Sequence, residues 1–166
     1  MKRRPLLIGA GLAAAAVGAG LALRSGRALS PEAEKFWAAK FVHLDGSELP
    51  AAILRGKPLL LNFWASWCTP CVKELPDIER FAKETPAWQV LALALDSAEN
   101  VQAFLTRLPL HLPLGLAGLT GFELARMLGN LQGGLPFSVA FDARGEVFWR
   151  KLGPTELPEL RQIART

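Results

Sequence analysis

The chain has 166 residues, of which 51% are hydrophobic and 20% are charged, a composition that suits one globular domain with a short additional segment. Its formal net charge of +4 arises at the N-terminus, because residues 1–30 carry five basic side chains and no acidic one. The 14 basic and 15 acidic side chains of the remaining residues give a net charge of −1. The sequence therefore excludes a nucleic-acid-binding domain, which would need a basic surface.

The first thirty residues have the layout of an export signal. Lys2-Arg3-Arg4 is followed by an uncharged stretch of mostly Leu, Ala and Gly up to Leu23. This stretch is also close to the ~20 residues that cross a bilayer. We therefore predict that residues 1–30 are an export signal peptide or a membrane anchor. Residues 31–166 would form the domain, periplasmic and either soluble after cleavage or tethered to the inner membrane by residues 5–23.

The middle of the chain predicts a strand, a helix and a second strand. A leading strand is predicted over Phe36 to Asp45. Leu59 to Ala65 and Val90 to Leu95 are continuous apolar runs, which fit strands that are covered on both faces. Between them, apolar residues recur with helical spacing from Pro70 to Lys83. Residues 59–95 therefore predict one right-handed β–α–β unit.

The second half of the chain predicts two more helices, a hairpin and a closing helix. A helix begins after Asp96, and Pro109 to Gly118 is interpreted as a connection punctuated by proline and glycine. Thr120 and Glu123 predict a capping box for a short helix. The remaining predicted elements are two antiparallel strands and a last helix: Phe137–Phe141, Glu146–Leu152 and the stretch from Thr155. The sum is an α/β domain with a mixed central sheet flanked by helices.

Cys68 and Cys71, the only two cysteines, lie between the first buried strand and the helix. At a helix start, free N–H groups and the helix dipole favour a thiolate, which is the nucleophile in thiol–disulfide exchange. A disulfide that closes so short a loop would stabilise the fold little. A structural zinc site would need further ligands, and no second pair exists. The sequence therefore favours a redox-active disulfide, with no metal and no cofactor.

The stretch Asn62-Phe63-Trp64-Ala65-Ser66-Trp67-Cys68-Thr69-Pro70-Cys71 resembles the thioredoxin superfamily. With Glu74 and Pro76 behind it, it is most similar to the TlpA/ResA-like branch of exported, often membrane-tethered thiol–disulfide oxidoreductases. The resemblance extends over roughly residues 35–165 and is strong again at Gly134-Leu135-Pro136. It implies a thioredoxin-like fold and reversible dithiol–disulfide chemistry.

The resemblance also implies roles for individual residues. Cys68 would be the attacking thiol and Cys71 the resolving one. Pro136 matches the cis-proline that lies opposite the dithiol. Asn62 stands where thioredoxin has a buried aspartate, and Glu74 matches a glutamate of the ResA-like site. Glu74 could shuttle the proton of the resolving cysteine, but a solvated helix glutamate remains the alternative.

Four residues are predicted to contact the substrate chain: Trp67, Pro70, Leu135 and Pro136. The predicted function is an exported oxidoreductase that reduces disulfides of partner proteins. Its partners would be cysteine-containing exported proteins, such as apocytochrome c during cytochrome c maturation, and a membrane thiol electron donor. The alternatives are a disulfide-forming oxidant and a non-catalytic metallochaperone or assembly factor on the same fold. Contact with the membrane is expected only through the N-terminal segment.

Overall fold

A seven-stranded mixed sheet forms the centre of the structure, a computed structural model that describes residues 28–166. The predicted signal or anchor therefore lies outside the described residues, apart from its last three positions. The strands are β1 (Lys40–Val42), β2 (Glu48–Pro50), β3 (Leu59–Trp64), β4 (Gln89–Ala94), β5 (Leu114–Leu116), β6 (Phe137–Phe141) and β7 (Val147–Leu152). The helices are α1 (Pro31–Ala38), a 3-10 turn (Ala51–Leu54), α2 (Thr69–Glu84), α3 (Ala98–Arg107), α4 (Thr120–Met127) and α5 (Leu157–Ile163).

The strand order is β2-β1-β5-β4-β3-β6-β7. Strands β3, β4 and β5 are parallel, and β6 pairs antiparallel with both β3 and β7. Strand β3 is therefore central, and all six of its residues are buried. The β–α–β unit and the hairpin that the sequence predicts are confirmed.

Alternation along β3 divides its side chains between two hydrophobic cores. Leu59, Leu61 and Phe63 face the core that α1 and α4 cover. Leu60 and Trp64 face the other core, under α2, α3 and α5. Asn62 lies between Leu60 and Trp64 and points to the same side of the sheet, so this buried polar side chain faces α2.

The predicted leading strand is wrong over its first part, because Phe36 and Trp37 belong to α1. Ala33, Phe36 and Trp37 share one helical face and are buried, whereas a strand would send Phe36 and Trp37 to opposite sides. The Trp37 indole N–H also donates to the Gly145 carbonyl oxygen at 2.7 Å, which fixes α1 to the β6–β7 turn. Ser30 and Pro31, a typical helix start, were the signal for this helix.

Two expectations between Pro109 and Gly129 are also wrong. The proline-punctuated connection contains β5, whose three residues pair with β4. The predicted capping box does not form, because the N-cap residue of α4 is Leu119 and Thr120 is already helical. The Thr120 hydroxyl donates to the Ala117 carbonyl oxygen instead. A three-residue strand is too short to give a periodic signal, and its pairing with β4 stabilises it.

The mixed sheet with helices on both faces is a thioredoxin-like α/β fold, as the sequence predicts. Within residues 28–166, no helix is long and apolar enough to cross a membrane.

Candidate active site

Cys68 and Cys71 form a disulfide at the start of α2. Cys68 is the N-cap residue, and its sulfur accepts a hydrogen bond from the Cys71 backbone N–H at 3.3 Å. Strand β3 ends at Trp64, four residues before Cys68. The disulfide therefore lies at the edge of the sheet where the parallel strands have their carboxyl ends. Cys68 is 6% exposed and Cys71 is fully buried. Of the two cysteines only Cys68 therefore keeps any exposed surface, an asymmetry that suits an attacking and a resolving cysteine.

Glu74 lies one helical turn beyond Cys71 on the buried face of α2 and is only 4% exposed. Its two carboxylate oxygens accept hydrogen bonds from two different parts of the fold. The Asn62 amide of β3 donates to Oε1 at 2.7 Å, and the backbone N–H of Thr155 donates to Oε2 at 2.5 Å. The alternative of a solvated helix glutamate is therefore wrong.

Burial raises the pKa of Glu74 from 4.5 to about 7. The hydrogen bonds from Thr155 and Asn62 act in the opposite direction, because they stabilise the charged form. Lys151 lowers and Asp77 raises the same pKa through their charges. The carboxyl group therefore titrates near neutral pH, where it can take up and release a proton.

Replacing Asn62 with leucine is expected to raise the pKa of Glu74 further, because the variant removes a donor to the charged carboxylate. One hydrogen bond to a charged group corresponds to about a tenfold change in proton affinity. Titration of the Glu74 carboxyl carbon by NMR checks the direction. Ser138→Ala is the matched control, since Ser138 accepts the other Asn62 amide bond at 3.0 Å. A lower Glu74 pKa in Asn62→Leu would contradict the account of this contact.

The structure places the four predicted substrate-contact residues around the dithiol end of the sheet. Trp67 is 64% exposed directly before Cys68, and Pro70 is exposed in the first turn of α2. The register of β3 and β6 pairs Phe63 with Phe137, so Leu135 and Pro136 lie at the carboxyl end of β3. The Leu135–Pro136 peptide bond is cis, as the resemblance implies. Pro136 is buried and Leu135 is partly buried.

The hydrogen-bond network around Glu74, in which Ser138 bonds to Asn62 and Thr155 bonds to Glu74, was not found by sequence reasoning. Ser138 lies opposite Asn62 in the strand register, and Thr155 lies 81 residues from Glu74 in the chain. A polar Asn62 inside an apolar strand was the available signal, because a buried amide needs a polar partner. Nothing in the local sequence points to Thr155, whose N–H reaches Glu74 only through the packing of the loop before α5.

A Cys-x-x-Cys disulfide between a central parallel strand and the helix that follows it defines a domain of thioredoxin-like fold. The family model described as Redoxin matches residues 29–164, and the chain belongs to that family. The thiol-disulfide oxidoreductase ResA of Bacillus cereus is 31% identical over 114 residues. The aligned part covers 66% of this chain and 63% of that protein, so the chain spans less than two thirds of this relative. Within its superfamily the chain is TlpA/ResA-like.

Solved structures agree with the fold. The chain is similar to MTB dsbF, with a TM-score of 0.69 and 24% identity over 83% of this chain and 98% of that one. It is also similar to a thiol:disulfide interchange protein of the thioredoxin family from Chlorobium tepidum. Here the TM-score is 0.64, with 28% identity over 76% of this chain and 90% of that one.

Proposed function

We propose that the protein reduces disulfides of other exported proteins through the Cys68–Cys71 pair. The observation that carries this proposal is the unequal burial of the two sulfurs beside a buried carboxyl group. Cys68 keeps 6% of its surface exposed for a substrate, whereas Cys71 has none exposed and Glu74 lies 4% exposed on the same buried face of α2. A structural cross-link would need neither the asymmetry nor a titratable neighbour.

The reaction transfers two electrons to the substrate. The Cys68 thiolate attacks one sulfur of the substrate disulfide, which forms a mixed disulfide and releases the first substrate thiolate. Cys71 then attacks the Cys68 sulfur, which closes the protein disulfide and releases the second thiolate. The substrate gains two thiols, and the protein loses two electrons and the protons of its own thiols.

Glu74 supports the second step as a proton acceptor. A buried thiol is a poor nucleophile until it loses its proton. Because Cys71 is fully buried, water does not reach its thiol to accept that proton. With a pKa of about 7, Glu74 is partly ionised at neutral pH and can accept that proton. Asn62 and Thr155 would hold the carboxylate in place before it accepts the proton of Cys71.

The partners follow from the electron balance and the N-terminal sequence. Each turnover leaves the dithiol oxidised, so a membrane thiol carrier must return two electrons. Substrates would be exported proteins with oxidised cysteines, of which apocytochrome c in cytochrome c maturation is our leading choice. The basic and apolar residues 1–30 favour export to the periplasm, with release or tethering to the inner membrane.

The equilibrium reduction potential of the Cys68–Cys71 couple in the full chain tests the direction of electron flow. We expect a value near or below about −250 mV, on the reducing side where thioredoxin lies. A value near about −120 mV, like that of the oxidant DsbA, would instead assign disulfide formation. A wild-type protein without any reductase turnover would favour the non-catalytic assembly factor.

A further inference from the structure

The carboxylate of Asp96 receives four hydrogen bonds at the carboxyl end of β4. Its Oδ2 atom accepts from the backbone N–H of Ser66 at 3.0 Å and from the Ser66 hydroxyl at 2.6 Å. Its Oδ1 atom accepts from the backbone N–H of Ser97 at 2.8 Å and from the Asn100 amide at 2.9 Å. One side chain thus joins the loop before the dithiol to the start of α3.

The Asp96 contacts on Ser66 hold a loop that has few other attachments. Ala65, Ser66 and Trp67 separate β3 from Cys68, and this loop is closed by a backbone bond from the Cys68 N–H to the Ala65 carbonyl oxygen at 3.1 Å. Trp67 is 64% exposed, so packing restrains its ring little. The direction in which the Trp67 side chain points is therefore set by the backbone at Ser66 and Cys68. Among residues 28–166, both the N–H and the hydroxyl of Ser66 are directed to Asp96.

Asp96 remains ionised at neutral pH. Partial burial acts to raise its pKa, but the hydrogen bonds from Ser66, Asn100 and Ser97 outweigh burial and hold the pKa below its usual value. Bonds to an ionised acceptor are stronger than those between neutral groups. The anchor on Ser66 therefore persists across the pH range in which Glu74 titrates.

We propose that Asp96 is a positioning residue that, through Ser66, holds Trp67 and Cys68 in the arrangement that docks a protein substrate. The proposal rests on the proposed reductase function and adds a determinant of substrate recognition outside the Cys-x-x-Cys segment. Asp96 does not touch the reacting sulfurs. It acts on the partner chain only through the loop that carries Trp67.

Single-turnover reduction with the pre-reduced full chain tests the proposal. Asp96→Ala and Ser66→Ala are expected to slow the reaction with insulin, a protein disulfide, by at least about tenfold, the factor of the charge-assisted hydrogen bond from the Ser66 hydroxyl that both variants lose. The reaction with oxidised glutathione, which is too small to need the Trp67 surface, should change little. Asn100→Ala is the matched control, because it removes a bond to the same carboxylate on the α3 side only.

A double-mutant cycle distinguishes positioning from general destabilisation. If Asp96 acts through Trp67, Asp96→Ala should cost little further rate with insulin in a Trp67→Ala background. Equal slowing of both substrates, additive effects in the cycle or slowing by Asn100→Ala equal to that by Ser66→Ala would overturn the proposal.

A measurement that needs no turnover separates this proposal from the proposed function. The ¹⁵N order parameters of the Trp67 indole and of the amides of residues 66–68 should fall in Asp96→Ala and Ser66→Ala and stay unchanged in Asn100→Ala. If the wild type reduces neither substrate, the proposed function fails, while the order parameters still decide whether Asp96 holds the loop. Unchanged order in Asp96→Ala would refute the anchor directly.

Discussion

Replacing Cys68 with serine is expected to reduce disulfide reduction to the uncatalysed background, whereas Cys71→Ser should stop the reaction halfway. In Cys68→Ser the one cysteine that keeps some exposed surface is lost, and the remaining Cys71 is fully buried. In Cys71→Ser the first attack still takes place, but nothing resolves the mixed disulfide. Mass spectrometry of the acid-quenched reaction should therefore find a covalent adduct with the substrate only in Cys71→Ser.

The rates of thiol alkylation provide the control for the two cysteine variants. With the reduced protein, iodoacetamide should modify Cys68 much faster than Cys71, because thiolate character and access both favour Cys68. An adduct that accumulates in Cys68→Ser instead would reverse the assignment of the attacking thiol. Turnover that survives in both variants would remove the dithiol from the mechanism altogether.

The dithiol and its setting could be predicted from sequence because their signals are local. A continuous apolar run, a Cys-x-x-Cys pair and a helical repeat follow one another within residues 59–83 and need no knowledge of distant residues. The helix of Phe36 and Trp37 was missed because apolar residues next to each other fit a strand as well as a helix. Its burial depends on Phe141, whose ring stacks on Phe36 with centroids 4.5 Å apart.

The environment of Glu74 depends on tertiary contacts. Its position in α2 predicted that it lies beside the buried stripe, but spacing alone leaves a carboxylate there free to reach solvent. In the structure the carboxylate is buried, because Asn62 on β3 and Thr155 before α5 donate hydrogen bonds to it inside the core. Likewise, Asp96 was expected only to mark a helix start, and its contact with Ser66 follows from the parallel pairing of β3 and β4.

Replacing Glu74 with glutamine is expected to change how the stability of the oxidised protein depends on pH. The pKa of Glu74 is about 7 in the folded protein and near 4.5 in the unfolded chain, so the folded state binds the proton more tightly. The contribution of Glu74 to the stability of the wild type is therefore fully present below pH 4.5, and about 3 kcal/mol of it is lost as the pH rises through 7. Glutamine carries no charge, so the variant should not show this loss.

The free-energy difference between Glu74→Gln and wild type should thus shift by about 3 kcal/mol in favour of the variant from pH 4 to pH 8. Urea unfolding of both proteins at several pH values measures this difference. The glutamine amide faces two hydrogen-bond donors, but the resulting destabilisation does not depend on pH and so does not affect the shift between pH 4 and pH 8. Glu84→Gln on the same helix is the control, because hydrogen bonds from Arg161 and Arg80 hold the pKa of that exposed carboxyl group below its usual value, so any pH dependence should have the opposite sign. A difference that is independent of pH would mean that Glu74 is already ionised when buried.

The same substitution separates the proton acceptor from the nucleophile. In wild type the resolving step, measured as decay of the mixed disulfide, should accelerate as pH rises through about 7, where Glu74 becomes ionised. In Glu74→Gln this inflection should disappear and the step should be slower by about 10²-fold, the lower end of the range for a positioned general base. The first attack by Cys68 should keep its rate, because Glu74 lies on the buried side of α2, next to Cys71. A loss of rate in the first step alone would place Glu74 with the attacking thiol instead.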